Sequence, residues 1–148
     1  QAVGAPACHA SGAVCALGAA GRLIVWDGAK GAVRCNRDLG GKFGFGPLAC
    51  EKGFLVLDEK GKLDLLAADG TKSLWSQALL VNPSLPPVLA GAEYLAVASP
   101  GQLLLVSTTD GTVLWLVPLD APPAALAAFG KRIFLTTAQA DLWVFDAE

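Results

Sequence analysis

Several residue types that carry chemistry are scarce in this chain. Its 148 residues include one His, one Tyr and no Met, and charged residues make up only 16%. His9 is the single imidazole and no cysteines form a Cys-x-x-Cys pair, so the ligand set of a zinc site is missing. A net charge of −2 gives no basic surface for nucleic acid or an anionic membrane.

Long apolar runs are missing too. The clearest ones, 103–106 and 114–119, are far shorter than the roughly 20 residues that a membrane-spanning helix needs, so we predict no membrane span. The N-terminus lacks the basic start and apolar stretch of a signal peptide. This leaves open both a signal peptide that has been removed and a chain that is part of a longer protein.

The four cysteines all lie in the first third of the chain. A hairpin about Ser11 and Gly12 would place Cys8 opposite Cys15, where a cross-strand disulfide is conceivable. We favour instead four small buried hydrophobic residues, because unpaired cysteine is among the most buried residue types; the other two are Cys35 and Cys50. This usage slightly favours a cytoplasmic chain, and an extracytoplasmic one follows if a signal peptide has been removed.

One sequence motif recurs along the chain. Residues 101–115 combine an apolar run, Asp110-Gly111 and a second run that contains Trp115. Residues 61–75 repeat this motif, and a less well matched copy begins at Gly21. The period of about forty residues is the length of one propeller blade. Asp-Gly between apolar runs predicts hairpins with type I′ turns, in which both central residues have positive φ.

The pattern predicts an all-β fold, a β-propeller of about four blades with four antiparallel strands each. We expect a single propeller segment over 1–148, with blades at approximately 5–40, 46–80, 86–119 and 122–148. The last blade lacks its outermost strand, so we expect a partial ring of a propeller with seven or eight blades. Either residues 1–4 pair weakly with the last blade, or another segment supplies the missing strand.

The spacings Asp27-x-x-x-Gly31-x-x-x-Cys35 and Gly111-x-x-x-Trp115 resemble the PQQ-like, or quinoprotein alcohol dehydrogenase-like, β-propeller repeat. Blades of that family carry Ala-x-Asp-x-x-x-Gly-x-x-x-Trp across their third and fourth strands. The chain departs from it at Cys35, which replaces the tryptophan, and at Ala67 and Ser107, which replace the aspartate; one extra residue also separates Gly70 from Trp75. The resemblance implies that Trp75 and Trp115 pack between blades. We expect Trp26 and Trp143 in the core.

The resemblance implies the non-catalytic type of repeat. Quinoprotein dehydrogenases bind their cofactor with a metal ion, and many use a disulfide between adjacent cysteines, but this chain has no Cys-Cys pair. Its aspartates fall mostly at turns and strand ends, where solvated caps are expected: Asp58, Asp64, Asp69, Asp110, Asp120, Asp141 and Asp146. We therefore predict no enzyme, no cofactor, and no catalytic, cofactor-binding or metal-ligating residue.

The predicted function is a non-catalytic protein-protein interaction or scaffold module, as in the outer-membrane assembly lipoprotein that carries PQQ-like repeats. An alternative is the C-terminal propeller portion of a larger enzyme, such as an adenylating enzyme with these repeats. A WD-repeat scaffold is a second alternative, suggested by Val25-Trp26-Asp27, although the Gly-His dipeptide of that family is absent. Exposed apolar sheet faces predict a partner: another protein, the remaining half of the propeller, or a second copy.

Overall fold

The computed structural model describes all 148 residues and consists of β-strands joined by turns and loops. The strands form four antiparallel sheets, in which each strand pairs with its neighbours in the sequence. Sheet 1 contains β1 (Ala7–Cys8), β2 (Ala13–Leu17), β3 (Arg22–Asp27) and β4 (Val33–Asp38). Sheet 2 contains β5 (Leu48–Cys50), β6 (Gly53–Leu57), β7 (Lys62–Ala67) and β8 (Ser73–Ala78).

Two further sheets follow. Sheet 3 contains β9 (Val88–Ala90), β10 (Tyr94–Ser99), β11 (Gln102–Ser107) and β12 (Val113–Pro118). Sheet 4 has three strands, β13 (Pro123–Phe129), β14 (Arg132–Thr137) and β15 (Leu142–Asp146). The chain divides into two compact units: Gln1–Ala78 holds sheets 1 and 2, and Leu79–Glu148 holds sheets 3 and 4.

The core of the first unit lies between its two sheets. Because side chains alternate along a strand, β3 directs Leu23 and Val25 to one face and Ile24 and Trp26 to the other. In every sheet, the forward face is the one with the positions equivalent to Leu23 and Val25. The backward face is the one with the positions equivalent to Ile24 and Trp26. The forward face of sheet 1 packs on the backward face of sheet 2 through Ala13, Cys15, Leu17, Leu23 and Val25 on one side and Phe54, Val56 and Leu66 on the other.

The second unit repeats this packing with its own residues. The forward face of sheet 3 contributes Ala96, Ala98, Leu103 and Leu105, and the backward face of sheet 4 contributes Ile133, Leu135 and Phe145. Trp115, on β12, lies 5.8 Å from Phe145 between ring centroids. The expected role of Trp115 in packing between sheets is therefore confirmed. Trp75 is half-buried on β8.

The turns between third and fourth strands differ from the prediction. Gly70 and Gly111 have positive φ, but Asp69 and Asp110 do not, so neither turn is type I′. Both loops are longer than a two-residue turn. The Ala67 N–H donates to the Lys72 carbonyl at 2.9 Å, and the Ser107 N–H donates to the Thr112 carbonyl at 2.8 Å. Loops of this length are usually built on a type I turn, in which the aspartate keeps negative φ.

A β-bulge recurs at one position in three of the sheets. The register shifts after Val25↔Cys35, after Leu65↔Trp75 and after Leu105↔Trp115. Sheet 2 reaches this register although its turn glycine, Gly70, comes one residue earlier than Gly31 and Gly111 do. The extra residue between Gly70 and Trp75 is therefore offset by one residue fewer between Leu65 and Gly70, so the loop keeps its length.

The N-terminal residues pair with sheet 1. Ala2 bridges to Gly18, and the Val3 N–H donates to the Leu17 carbonyl at 2.9 Å. The suggestion that residues 1–4 pair with the last blade was therefore wrong. β15 has no strand on its outer side.

The cysteine predictions were wrong in part. All four cysteines are free, and Cys8 lies opposite Val14 while Cys15 lies opposite Ala7. Since neighbouring positions point to opposite faces, Cys8 is exposed and Cys15 is buried, so they do not form the suggested disulfide. Cys15 is the only one of the four that is fully buried, since Cys35 and Cys50 are partly exposed.

Candidate interaction surfaces

An exposed aromatic side chain marks one end of sheet 4. Phe129 is 83% exposed where β13 turns into β14 through Gly130. Around it lies a depression of about 300 Å³, and we call its lining the Phe129 patch: Phe129, Gly130, Lys131, Arg132, Asp146 and Glu148. Phe129, Lys131 and Arg132 are close together in the sequence, whereas Asp146 and Glu148 lie at the other end of sheet 4's hairpin. The pairing of β14 with β15 adds the acidic residues to the cluster by placing Arg132 opposite Asp146.

Opposite charges border the Phe129 patch. Lys131 Nζ pairs with Glu148 Oε1, and Arg132 Nε lies 3.5 Å from Asp146 Oδ1. The hydrogen bond and the charge of Glu148 raise the pKa of Lys131, and those of Lys131 lower the pKa of Glu148. All four side chains are solvent-exposed, so these pairs are available to a partner and contribute little to folding.

Two sheet faces are also open. The backward face of sheet 1 carries a depression of about 250 Å³ that is lined mainly by apolar residues, among them Ala2, Ala16, Ile24 and Trp26. On the forward face of sheet 4, Leu142 and Val144 are exposed. Trp26 is half-buried, and Trp143 is 39% exposed and stacks on Phe145. The expectation that both tryptophans lie in the core was therefore wrong.

Asp69 and Asp110 cap turns as expected, and Asp27 does so as well. Asp27 Oδ1 accepts backbone N–H bonds from Ala29 and Lys30, and its Oδ2 accepts a 2.6 Å bond from Arg34. The Arg34 hydrogen bond, followed by the backbone bonds, lowers the pKa of Asp27. Hydrogen bonds from Thr71 and Thr112 likewise lower the pKa values of Asp69 and Asp110.

Two other aspartates are more buried than expected. Asp58 accepts backbone bonds from Lys60 and Lys62 beside a depression of about 460 Å³, although its side chain is buried. Asp64 lies in the middle of β7, where its carboxylate is 3.1 Å from Lys62 Nζ. The expectation of a solvated turn cap was wrong for Asp64.

His9 connects the first turns of sheets 1 and 2. Its Nδ1 accepts the Ser11 backbone N–H at 3.1 Å, which assigns the ring proton to Nε2. Nε2 donates to the Glu51 carbonyl at 3.0 Å, and the ring meets Phe54 edge-on. No three His, Cys, Asp or Glu residues are arranged to hold a metal ion. The chain forms no helix long and apolar enough to cross a membrane.

Comparison with known proteins identifies the family. Residues 59–148 match the PQQ-like repeat family described as outer membrane protein assembly factor BamB. The chain belongs to this family. The predicted resemblance to PQQ-like repeats is thereby confirmed. No match was found among curated protein sequences.

Solved structures confirm the propeller fold. BamB from Moraxella catarrhalis aligns with a TM-score of 0.76 and 17% identity over 99% of this chain and 50% of its own. The computationally designed Ika4 protein gives a TM-score of 0.77 and 12% identity, over 100% of this chain and 92% of its own. BBS1N, solved in complex with ARL6DN, gives 0.70 and 15%, over 100% and 50%. The chain therefore spans half the length of that BamB. The all-β propeller with an incomplete last blade is confirmed.

Proposed function

We propose that this chain is a non-catalytic protein-protein interaction module within a propeller scaffold. Its family is named for a factor in outer membrane protein assembly, and one structural neighbour was solved in complex with another protein. BamB and BBS1N both resemble this chain in fold. Binding of a protein partner is therefore the activity that we assign to it.

The Phe129 patch is the observation that carries this proposal. Exposed aromatic residues beside a depression act as anchors in protein interfaces, because their burial removes a large apolar area from water. The flanking Lys131, Arg132, Asp146 and Glu148 provide a polar rim of both charges. The partner surface that fits is an apolar pocket with acidic and basic groups at its margin.

Two alternatives remain predictions. One is that the chain forms the propeller portion of a larger enzyme, and the other is a WD-repeat scaffold. An adenylation domain upstream of the chain would support the first of these. The expected blade boundaries and the ring of seven or eight blades also remain predictions.

Site-specific photo-crosslinking in the source cells tests the proposal. A photoreactive phenylalanine analogue replaces Phe129 in the full-length protein, and Leu80, which is 90% exposed in a loop, is the matched control position. We expect a discrete protein adduct from position 129 that Lys131→Glu reduces, and none from position 80. Absence of an adduct at 129, or the same adducts at both positions, would overturn the proposal.

A further inference from the structure

A depression in the first unit is built around a buried carboxylate. It has a volume of about 460 Å³ and lies where the turn from β6 to β7 meets the loop that joins sheets 1 and 2. We call it the Asp58 depression, after its one buried residue; its lining residues are Gly41, Lys42, Asp58, Glu59 and Lys60. The Glu59 N–H donates to the Lys42 carbonyl at 2.9 Å, which holds the turn and the loop together.

The two oxygens of the Asp58 carboxylate have different surroundings. Oδ1 accepts the backbone N–H groups of Lys60 at 2.9 Å and Lys62 at 2.8 Å, and so caps the turn. Oδ2 has no hydrogen-bond partner in the chain, and it is not sealed off from solvent. A Cβ atom on Gly41 would lie 3.5 Å from Oδ2, so this oxygen faces the wall of the depression that Gly41 forms.

The equivalent turn of sheet 4 shows that capping does not require a carboxylate. Thr137 closes the turn between β14 and β15 with the same two backbone hydrogen bonds that Asp58 makes in its own turn. The Thr137 hydroxyl accepts the Gln139 N–H at 3.3 Å, as Asp58 Oδ1 accepts that of Lys60. A hydroxyl therefore suffices at this position, and Asp58 adds both a charge and a second acceptor oxygen.

The charge of Asp58 has no counterpart within the chain. Asp58 is 8% exposed and forms no ion pair, although Lys42 and Lys60 also line the depression. The other buried aspartate, Asp64, is 3.1 Å from the Lys62 ammonium group. Because a buried charge is costly unless it is paired, the free oxygen of Asp58 calls for a cationic group from outside the chain.

We infer that the Asp58 depression binds an arginine side chain from a segment of another protein. A guanidinium group is planar and weakly hydrated, and its several N–H donors can reach Asp58 Oδ2 and the neighbouring Glu59 carboxylate together. A metal ion fits less well, because no three acidic, His or Cys side chains converge here. Lys42 and Lys60 at the margin favour an acidic residue beside the arginine.

This site is separate from the proposed partner site. The Asp58 depression lies in the first unit, whereas the Phe129 patch lies in the second. The inference therefore does not rest on binding at Phe129, and Phe129→Ala should leave arginine binding at Asp58 unchanged.

Ligand-observed NMR titration of the full-length protein tests the inference. The probe is Nα-acetylarginine amide, which represents an arginine residue within a chain, and Nα-acetylcitrulline amide is its uncharged counterpart of the same shape. We expect saturable binding of the arginine probe. Binding of the citrulline probe should be about ten-fold weaker or more, because the charge-assisted hydrogen bonds are lost.

Substitutions locate the binding at Asp58. Asp58→Asn keeps a capping oxygen but replaces Oδ2 by an N–H donor, and Asp58→Thr reproduces the turn seen at Thr137. Each should weaken binding of the arginine probe about ten-fold or more, with unchanged circular dichroism. Asp69→Asn is the matched control, because it removes the same charge from the exposed turn at the opposite end of sheet 2 and should leave binding unchanged.

Free arginine distinguishes a protein segment from a free amino acid as the source of the guanidinium group. We expect free arginine to bind no more tightly than the amide probe, since the inferred contacts involve only the side chain. Several-fold tighter binding of free arginine would assign the site to the amino acid and overturn the inference. Absence of saturable binding, equal binding of the citrulline probe, or binding that both Asp58 variants leave unchanged would overturn it as well.

Discussion

The thiol of Cys35 donates a hydrogen bond to the carbonyl oxygen of Gly70, with Sγ and O 3.3 Å apart. Cys35 stands where the family repeat has tryptophan, and Gly70 is the turn glycine of the next sheet. The small side chain lets the Gly70 backbone approach β3 closely. A Cβ atom on Gly70 would lie 2.6 Å from Val25 Cγ2 and 3.2 Å from Cys35 Cβ.

Gly70→Ala should therefore destabilise the first unit. The φ of 75° at Gly70 strains any other residue, and the added methyl group would displace Val25. We expect a loss of about 2–4 kcal/mol, from strain and overpacking together, in urea denaturation. Gly31→Ala is the control, because Gly31 has a φ of 66° but open space around it; its expected loss is only about 1 kcal/mol. Equal losses for the two variants would contradict the packing described here.

Ala140→Gly should stabilise the chain. Ala140 has a φ of 66° in the turn between β14 and β15, where the equivalent turns of sheets 1 and 2 have Gly21 and Gly61. Glycine removes the left-handed strain but adds backbone entropy to the unfolded state, so the net gain is about 0.5–1 kcal/mol. Thermal unfolding measures it, and a lower melting temperature would show that the alanine is not strained.

Acid should weaken the first unit through Asp27. Its pKa is lowered in the folded state, chiefly by the Arg34 hydrogen bond, so its contribution to stability is present above the unfolded-state pKa. That contribution is lost as the pH falls through the folded-state pKa. Asp27→Asn and Arg34→Met should each flatten the fall in melting temperature between about pH 5 and pH 2. Unchanged pH profiles in both variants would show that the pair does not act this way.

The cysteines should differ sharply in reactivity. Burial, with a smaller effect from Cys35, raises the pKa of the Cys15 thiol to about 12, so it stays protonated and inaccessible at neutral pH. Cys8 is exposed and should be alkylated first by iodoacetamide under native conditions. Mass spectrometry of tryptic peptides measures the order. Fast labelling that survives Cys8→Ser, or labelling of Cys15 in the folded chain, would contradict the assigned register.

The strand positions could be predicted because turn glycines and apolar alternation recur with one period. The register of β1 against β2 could not, because it depends on the loop. The Gly12 N–H bonds to the His9 carbonyl and the His9 N–H to Ala13, which makes the loop longer than the assumed turn at Ser11 and Gly12. One residue of shift then moved Cys8 to the other face.

The Phe129 patch could not be predicted from the sequence for a different reason. Lys131 and Glu148 are far apart in the chain, and only the β14–β15 pairing brings their charges together. Phe129 ends the alanine-rich strand β13, and nothing in that run of residues indicates that its side chain is exposed. Side-chain exposure depends on which sheets stand beside a strand, and local sequence does not contain that information.

The photo-crosslinking yield at position 129, relative to position 80, tests the central claim of partner binding most directly. If the Phe129 patch binds a protein, the yield of one defined adduct at 129 is several-fold higher than at 80, and Lys131→Glu lowers it toward the value at 80. Equal yields at the two positions, or a yield that Lys131→Glu leaves unchanged, would contradict binding at this patch.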